Sequence, residues 1–111
     1  VGDIYFVELP LSKGSVQAGI RPCLNIQNPL GNKNSPTILV LIITKKLHKK
    51  CLPTHVLIDK TISNGLTYNS CVEAEQIFTV SKEYQVLNKI GKLSNKEMSK
   101  VNEALKISLG L

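Results

Sequence analysis

Thr37-Ile38-Leu39-Val40-Leu41-Ile42-Ile43-Thr44 is the stretch that decides the fold. Its β-branched and leucine side chains run on without a polar interruption. Alternation of apolar and polar residues would mark a strand with one wet face. An unbroken run of this kind marks a strand buried on both faces. It is also far too short to span a bilayer, which needs about 20 residues as a helix.

Working outward, Ile4 to Leu9 reads as an earlier strand ended by Pro10. Residues 11–20 form a polar loop, and Cys23 to Asn28 a second strand with a polar Asn25 inside it. Residues 29–36 carry the Gly, Pro and Asn of a loop. After Thr44 come a lysine-rich loop, a short strand from His55 to Ile58, and a turn near Asn64-Gly65. A strand from Cys71 to Val80 follows, then a short one from Ile90 to Leu93. Ser94-Asn95-Lys96-Glu97 is a capping box that opens a helix. Met98, Val101, Ala104, Leu105, Ser108 and Leu109 recur at helical spacing, and Gly110 suits a left-handed cap. Short strands followed by one terminal helix predict a mainly β fold, a small and partly open β-barrel with a C-terminal helix, as one domain over residues 1–111.

Composition narrows the function classes. The net charge is +6, and it is concentrated: Lys45, Lys46, Lys49, Lys50 and Lys60 face only Asp59 between residues 41 and 60. Such a segment suits a polyanion through phosphate attraction and counterion release. Read alone, it is more plainly a solvated loop. Three cysteines without C-x-x-C spacing argue against zinc and against a secreted disulfide framework. Cys23 and Cys71 fall in apolar runs and are expected to be buried thiols. No signal peptide or membrane-length run is evident, so the expected compartment is the cytoplasm, with no membrane partner. No Gly-rich phosphate loop, Walker motif or G-x-S-x-G occurs.

The run Lys13-Gly14-Ser15-Val16-Gln17-Ala18-Gly19-Ile20-Arg21-Pro22 delivers one arginine from a turn-forming loop to an apolar strand. Arginine so fixed is suited to phosphate, because its guanidinium is always charged and binds oxygens in pairs. This run resembles the MazF/PemK (Kid) family of bacterial toxin endoribonucleases. So do Ile26-Gln27-Asn28, Ile42-Ile43-Thr44, Leu52-Pro53-Thr54-His55-Val56, Glu75-Gln76-Ile77-Phe78-Thr79 and Lys100-Val101-Asn102-Glu103-Ala104-Leu105-Lys106-Ile107-Ser108-Leu109. The resemblance covers nearly the whole chain in the family's order. It implies the SH3-like small barrel of the MazF/PemK/CcdB type.

The resemblance also implies chemistry: sequence-selective, metal-independent cleavage of single-stranded RNA by an mRNA interferase, with no cofactor. Arg21 and Thr44 match the family's catalytic Arg and Thr. Arg21 would stabilise the charge of a phosphorane formed by 2′-hydroxyl attack, and Thr44 would hydrogen-bond a phosphate oxygen or orient the attack. The implied RNA contacts are Lys13, Ser15, Gln17, Gln27, Asn32, Lys45, Lys46, Glu75 and Gln76, with no metal ligands. The implied partners are single-stranded RNA, a second copy in a homodimer, and a cognate antitoxin with an acidic, disordered tail.

Other readings stand beside this one. Read singly, Arg21 is a salt-bridging residue at a strand edge and Thr44 a β-former. His48 and His55 could act as acid and base, but no third group is evident to orient either, and a structural hydrogen bond is the plainer role for His55. Glu73 and Glu75, two apart, are expected on one face of a strand, plainly a solvent-facing one. Val16 and Phe78 stand where many relatives have Glu and Arg. Phe78 reads as core or as an exposed stacking residue, and the pair of changes implies altered specificity or weakened cleavage. A module that only binds RNA or antitoxin and a gyrase-poisoning toxin on the same barrel are the alternatives.

Overall fold

The aliphatic run becomes the strand on which everything else is hung. In a computed structural model, which describes residues 2–9, 19–28, 34–45 and 52–111, it is β3, Thr37–Thr44. The other elements are β1 (Asp3–Leu9), β2 (Gly19–Asn25), β4 (His55–Ile58), β5 (Ser70–Ser81), β6 (Val86–Lys92) and the helix α1 (Asn95–Leu109). The six strands form one sheet in the order β4-β5-β3-β2-β1-β6, with every pair antiparallel. The fold is therefore mainly β with one C-terminal helix. The expected barrel is not closed: β4 and β6 are the two edges of the sheet and do not pair with each other.

β3 is buried on both faces, as its sequence requires. Leu41 and Ile43 enter one core with Ile4, Leu24, Val72 and the helix residues Met98, Val101 and Ala104. Val40 and Ile42, on the opposite face, enter a second core with Val7, Cys23 and Val80. Each large aliphatic side chain so buried contributes about 1.5–3 kcal/mol. Phe78 packs partly buried against the second core, which favours the core reading of that residue over an exposed stacking one. Cys23 and Cys71 are buried thiols.

The helix ends follow the sequence. Ser94 Oγ accepts from the Glu97 amide at 3.1 Å, and the Ser94 amide donates to Glu97 Oε1 at 3.0 Å. Gly110 takes a left-handed conformation (φ 71°), and the Leu111 amide donates to the Lys106 carbonyl at 2.8 Å.

Two strand boundaries differ from the sequence reading. β2 begins at Gly19, so Arg21 lies inside a strand and not at its start. Arg21 pairs with Val7, and Pro22 with Phe6. Pro22 comes before the pairing with β3 begins at Cys23, where a missing N–H is tolerated. β6 begins at Val86, earlier than the expected Ile90. β5 also carries a large bulge. Its partner register steps from Leu41↔Ile77 to Ile42↔Glu73, leaving residues 74–76 unmatched. The bulge is tied to the start of β4, where the Ala74 amide donates to the Thr54 carbonyl at 2.9 Å.

Candidate active site

The β2–β3 register is Cys23↔Ile42, Leu24↔Leu41 and Asn25↔Val40. Carried two residues further, it sets Arg21 across from Thr44. Thr44 pairs with Cys71 on its other side, and Cys71 with Leu57. The observed pairs on this line are Val7 with Arg21, and Thr44 with Cys71 and Leu57; the ladder between β2 and β3 itself ends at Cys23↔Ile42. The next row on the same face reads Tyr5, Cys23, Ile42, Glu73, His55. Thr44 is only 3% exposed. Burial pushes the Cys23 thiol up to about 12, and the positive charge of Arg21 partly opposes that rise.

Beside the row lies a cluster built by the bulge. Glu75 Oε1 accepts from Thr54 Oγ1 at 3.1 Å, and Glu75 Oε2 lies 2.8 Å from His55 Nε2. The Leu52 amide donates to His55 Nδ1 at 3.2 Å. That bond makes Nδ1 the acceptor and Nε2 the N–H that faces Glu75. Desolvation pushes the Glu75 carboxyl up, but bonds from its own amide, from His55 and from Thr54 outweigh this, so it titrates below its ordinary range. Glu73 is 3% exposed. Its Oε2 lies 4.0 Å from His55 Nε2 and accepts from Gln76 Nε2 at 3.4 Å.

His55, Glu73 and Glu75 bring three ligand atoms within 4.8 Å of one another. A cation on His55 Nε2 would move the ring proton to Nδ1, facing the Leu52 amide N–H. The set is better suited to hydrogen bonds than to a metal.

The sequence compares closely with known proteins. A family model described as PemK-like, MazF-like toxin of type II toxin–antitoxin system matches residues 1–109. The chain belongs to the PemK/MazF toxin family. It is 46% identical over 110 residues to the endoribonuclease EndoA of Bacillus subtilis, covering 99% of this chain and 93% of that protein. It is 46% identical over 110 residues to the endoribonuclease MazF of Staphylococcus saprophyticus, covering 99% of this chain and 90% of that one. The fold is similar to that of the Mycobacterium tuberculosis toxin MazF-mt6, with a TM-score of 0.80 at 22% identity over 98% of this chain and 97% of that one. It is also similar to a mycobacterial endoribonuclease in complex with its cognate antitoxin (TM-score 0.79, 23% identity, 99% and 93% covered).

On this PemK/MazF-type sheet the residues expected at the site fall into three groups. Arg21 and Thr44 lie on the neighbouring strands β2 and β3, each two residues beyond their last shared pair, with Glu75 and Gln76 at the β5 bulge. Lys45 follows Thr44 directly, and its Nζ lies over the Tyr68 ring, 5.0 Å from the centroid. Gln27 sits six residues along from Arg21, roughly 20 Å away along an extended chain. There it accepts from the Leu39 amide at 3.3 Å, between strand ends. Lys13, Ser15, Gln17, Asn32 and Lys46 lie outside the described residues, as do Val16 and His48.

Three features were not read from the sequence. Glu73 does lie beside Glu75, as expected, with both carboxylates at His55 Nε2, but it is buried and not solvent-facing. His55 does have orienting groups, the Leu52 amide and Glu75. Tyr68 stands beside the end of β3; an aromatic residue in the polar run Thr67-Tyr68-Asn69-Ser70 was the available signal.

Proposed function

We propose that this chain is the endoribonuclease toxin of a type II toxin–antitoxin pair, cutting single-stranded RNA at Arg21 and Thr44. The observation that carries the reading is 46% identity to the endoribonuclease EndoA over 99% of this chain, supported by a β2–β3 register that ends two residues short of Arg21 and Thr44. The ribose 2′-hydroxyl attacks the adjacent phosphorus and loses its proton. The bond to the 5′-oxygen breaks, and that oxygen gains a proton. The products are a 2′,3′-cyclic phosphate and a 5′-hydroxyl. Arg21 remains charged throughout, so its role is to stabilise the phosphorane and not to act as the base. Thr44 offers its hydroxyl to a phosphate oxygen. The row is largely enclosed, which strengthens both interactions.

RNA lies along this face, with Lys45 on the phosphates and Glu75 and Gln76 near base edges. The net charge of +6 suits both RNA and an antitoxin with an acidic, disordered tail that folds on binding. The toxin acts as a homodimer in the cytoplasm. Among the described residues no helix is long and apolar enough to cross a membrane. The test is incubation with a long, weakly structured RNA in EDTA, with the 5′ ends mapped, beside Arg21→Ala. Cleavage at a recurring short sequence, lost in the variant, is expected. Intact RNA with well-folded protein would refute the reading and leave a module that only binds RNA or antitoxin.

A further inference from the structure

The loop between β4 and β5 is held far more tightly than a connector needs. Asn64 is only 1% exposed. Its Oδ1 accepts from the Thr61 and Leu66 amides, each at 3.0 Å, and its Nδ2 donates to the Asp59 carbonyl at 2.8 Å. The Lys92 amide on β6 donates to the Ser63 carbonyl at 3.0 Å. Gly65 is left-handed (φ 68°), and a Cβ there would run into the Ile90 carbonyl. On the far flank, Asn69 Oδ1 accepts from the Lys60 amide at 2.9 Å, and Ser70 Oγ donates to the Tyr68 carbonyl at 2.7 Å. The backbone of Tyr68 is thus fixed, while its side chain is 55% exposed. A rigid loop that presents an exposed aromatic ring has the form of a binding element.

The ring borders a cavity of about 220 Å³. Phe6, Pro22, Ile43 and Leu66 give it apolar walls, and Arg21 and Lys45 bring positive charge to it. None of its described lining residues is acidic. Small-molecule pockets run roughly 300–1,000 Å³, so this one takes a single ring system and no more. Flat, apolar and flanked by negative charge is the description of one nucleobase in a polynucleotide. Arg21 touches this lining at the sheet's end, although its neighbours Phe6, Pro22 and Ile43 face the opposite side of the sheet from Val7 and Thr44; Lys45, the residue after Thr44, is on the cavity's side.

We propose that the cavity seats one nucleobase of the bound RNA, stacked on Tyr68, with Lys45 taking a flanking phosphate. The proposal rests on the reading of this chain as an RNA-cleaving toxin and adds a specificity-determining residue to it. Stacking on aromatic rings tolerates every base, so selectivity here comes from the size of the cavity: its walls favour one size of ring.

The probes are 2′-O-methyl RNA octamers, which resist 2′-hydroxyl attack, as the four homopolymers and as an abasic chain of equal phosphate count. Tyr68→Ala should bind at least one base-bearing octamer about tenfold more weakly and the abasic octamer as tightly as the native protein does. Tyr68→Phe should bind like the native chain. The protein has no tryptophan, so Tyr68→Trp supplies a lone indole, whose emission base-bearing octamers should quench and the abasic octamer should not. Equal binding of every octamer by the native protein and Tyr68→Ala, or equal quenching by the abasic chain, would overturn the proposal. So would a changed oligomeric state of Tyr68→Ala with unchanged octamer binding, which would make the cavity a protein contact. Cleavage of natural RNA by the native protein is scored separately. Cleavage without Tyr68-dependent binding removes this proposal alone; Tyr68-dependent binding without cleavage removes the nuclease reading alone.

Discussion

Replacing Asn64 by Ala should unfold the loop that carries Tyr68 and cost much of the protein's stability. The side chain is 1% exposed and makes three hydrogen bonds, two accepted from amides and one donated to a carbonyl. Its loss leaves two N–H groups and one C=O without those partners. Each buried group left unsatisfied costs about 1–3 kcal/mol. Thr61 and Gly65 are exposed neighbours, so water can reach part of the vacated space. A net loss of about 3 kcal/mol results, near the lower bound of the three costs added. With an m-value of about 1.5 kcal/mol/M in urea, the midpoint should fall by about 2 M. Asn64→Asp keeps the two acceptor bonds but turns a carboxylate toward the Asp59 carbonyl, so it should also destabilise, by less at acid pH than at neutral pH. The assay is urea unfolding followed by circular dichroism at both pH values. A midpoint within 0.5 M of the native one, on the order of 1 kcal/mol or less, would refute the reasoning, since the loop would then not depend on this residue.

Three further outcomes are expected. Thr44→Val keeps the β-branched shape of a 3%-exposed position and removes one hydroxyl. Single-turnover cleavage should slow by about 10²-fold; an unchanged rate would remove Thr44 from the chemistry. Glu75→Gln bears on pH. The Glu75 carboxyl titrates below its ordinary value of 4.5 in the folded chain, so its ionised form adds stability above that value and the contribution disappears as pH falls through the lowered folded value. Glu75→Gln should therefore be less stable than the native chain at pH 7 and closer to it at pH 3; a constant difference in urea midpoint would count against the His55–Glu75–Thr54 bonds. Cys23, pushed up to about 12 by burial, should escape iodoacetamide at pH 8 in the native protein and react in urea. Peptide mass mapping that finds it alkylated in the native state would contradict its enclosure.

How much of this was legible depended on whether a local pattern sufficed. β3 was, because an unbroken β-branched run has no wet face to offer. The helix was, because both its caps are spelled in neighbouring residues. The start of β2 was not. Pro22 reads as an interruption, and only the position of β3 shows that it precedes the ladder. The bulge at residues 74–76 was not either. Ala74-Glu75-Gln76 contains no glycine or proline to mark it, and nothing local showed that Glu73, beside Glu75, would be buried. The association of Arg21 with Thr44 came from resemblance; only the register shows their strands adjacent, with the last shared pair two residues short of them. Tyr68 could have been suspected, since an aromatic residue in a polar turn has no local reason to be there. That it is braced by Asn64 and faces Lys45 depends on contacts between distant segments.

The most direct test of the central claim is single-turnover cleavage, in EDTA, of one short RNA spanning a mapped cut site. It is run beside the same strand with a 2′-deoxy sugar at the nucleotide whose hydroxyl attacks. Native protein should cut the RNA to a cyclic phosphate and a 5′-hydroxyl, bind the deoxy strand about as tightly, and leave it whole. Arg21→Ala should cut neither. Cleavage of the deoxy strand at the same bond, or undiminished cleavage by Arg21→Ala, would contradict 2′-hydroxyl attack beside Arg21 and Thr44.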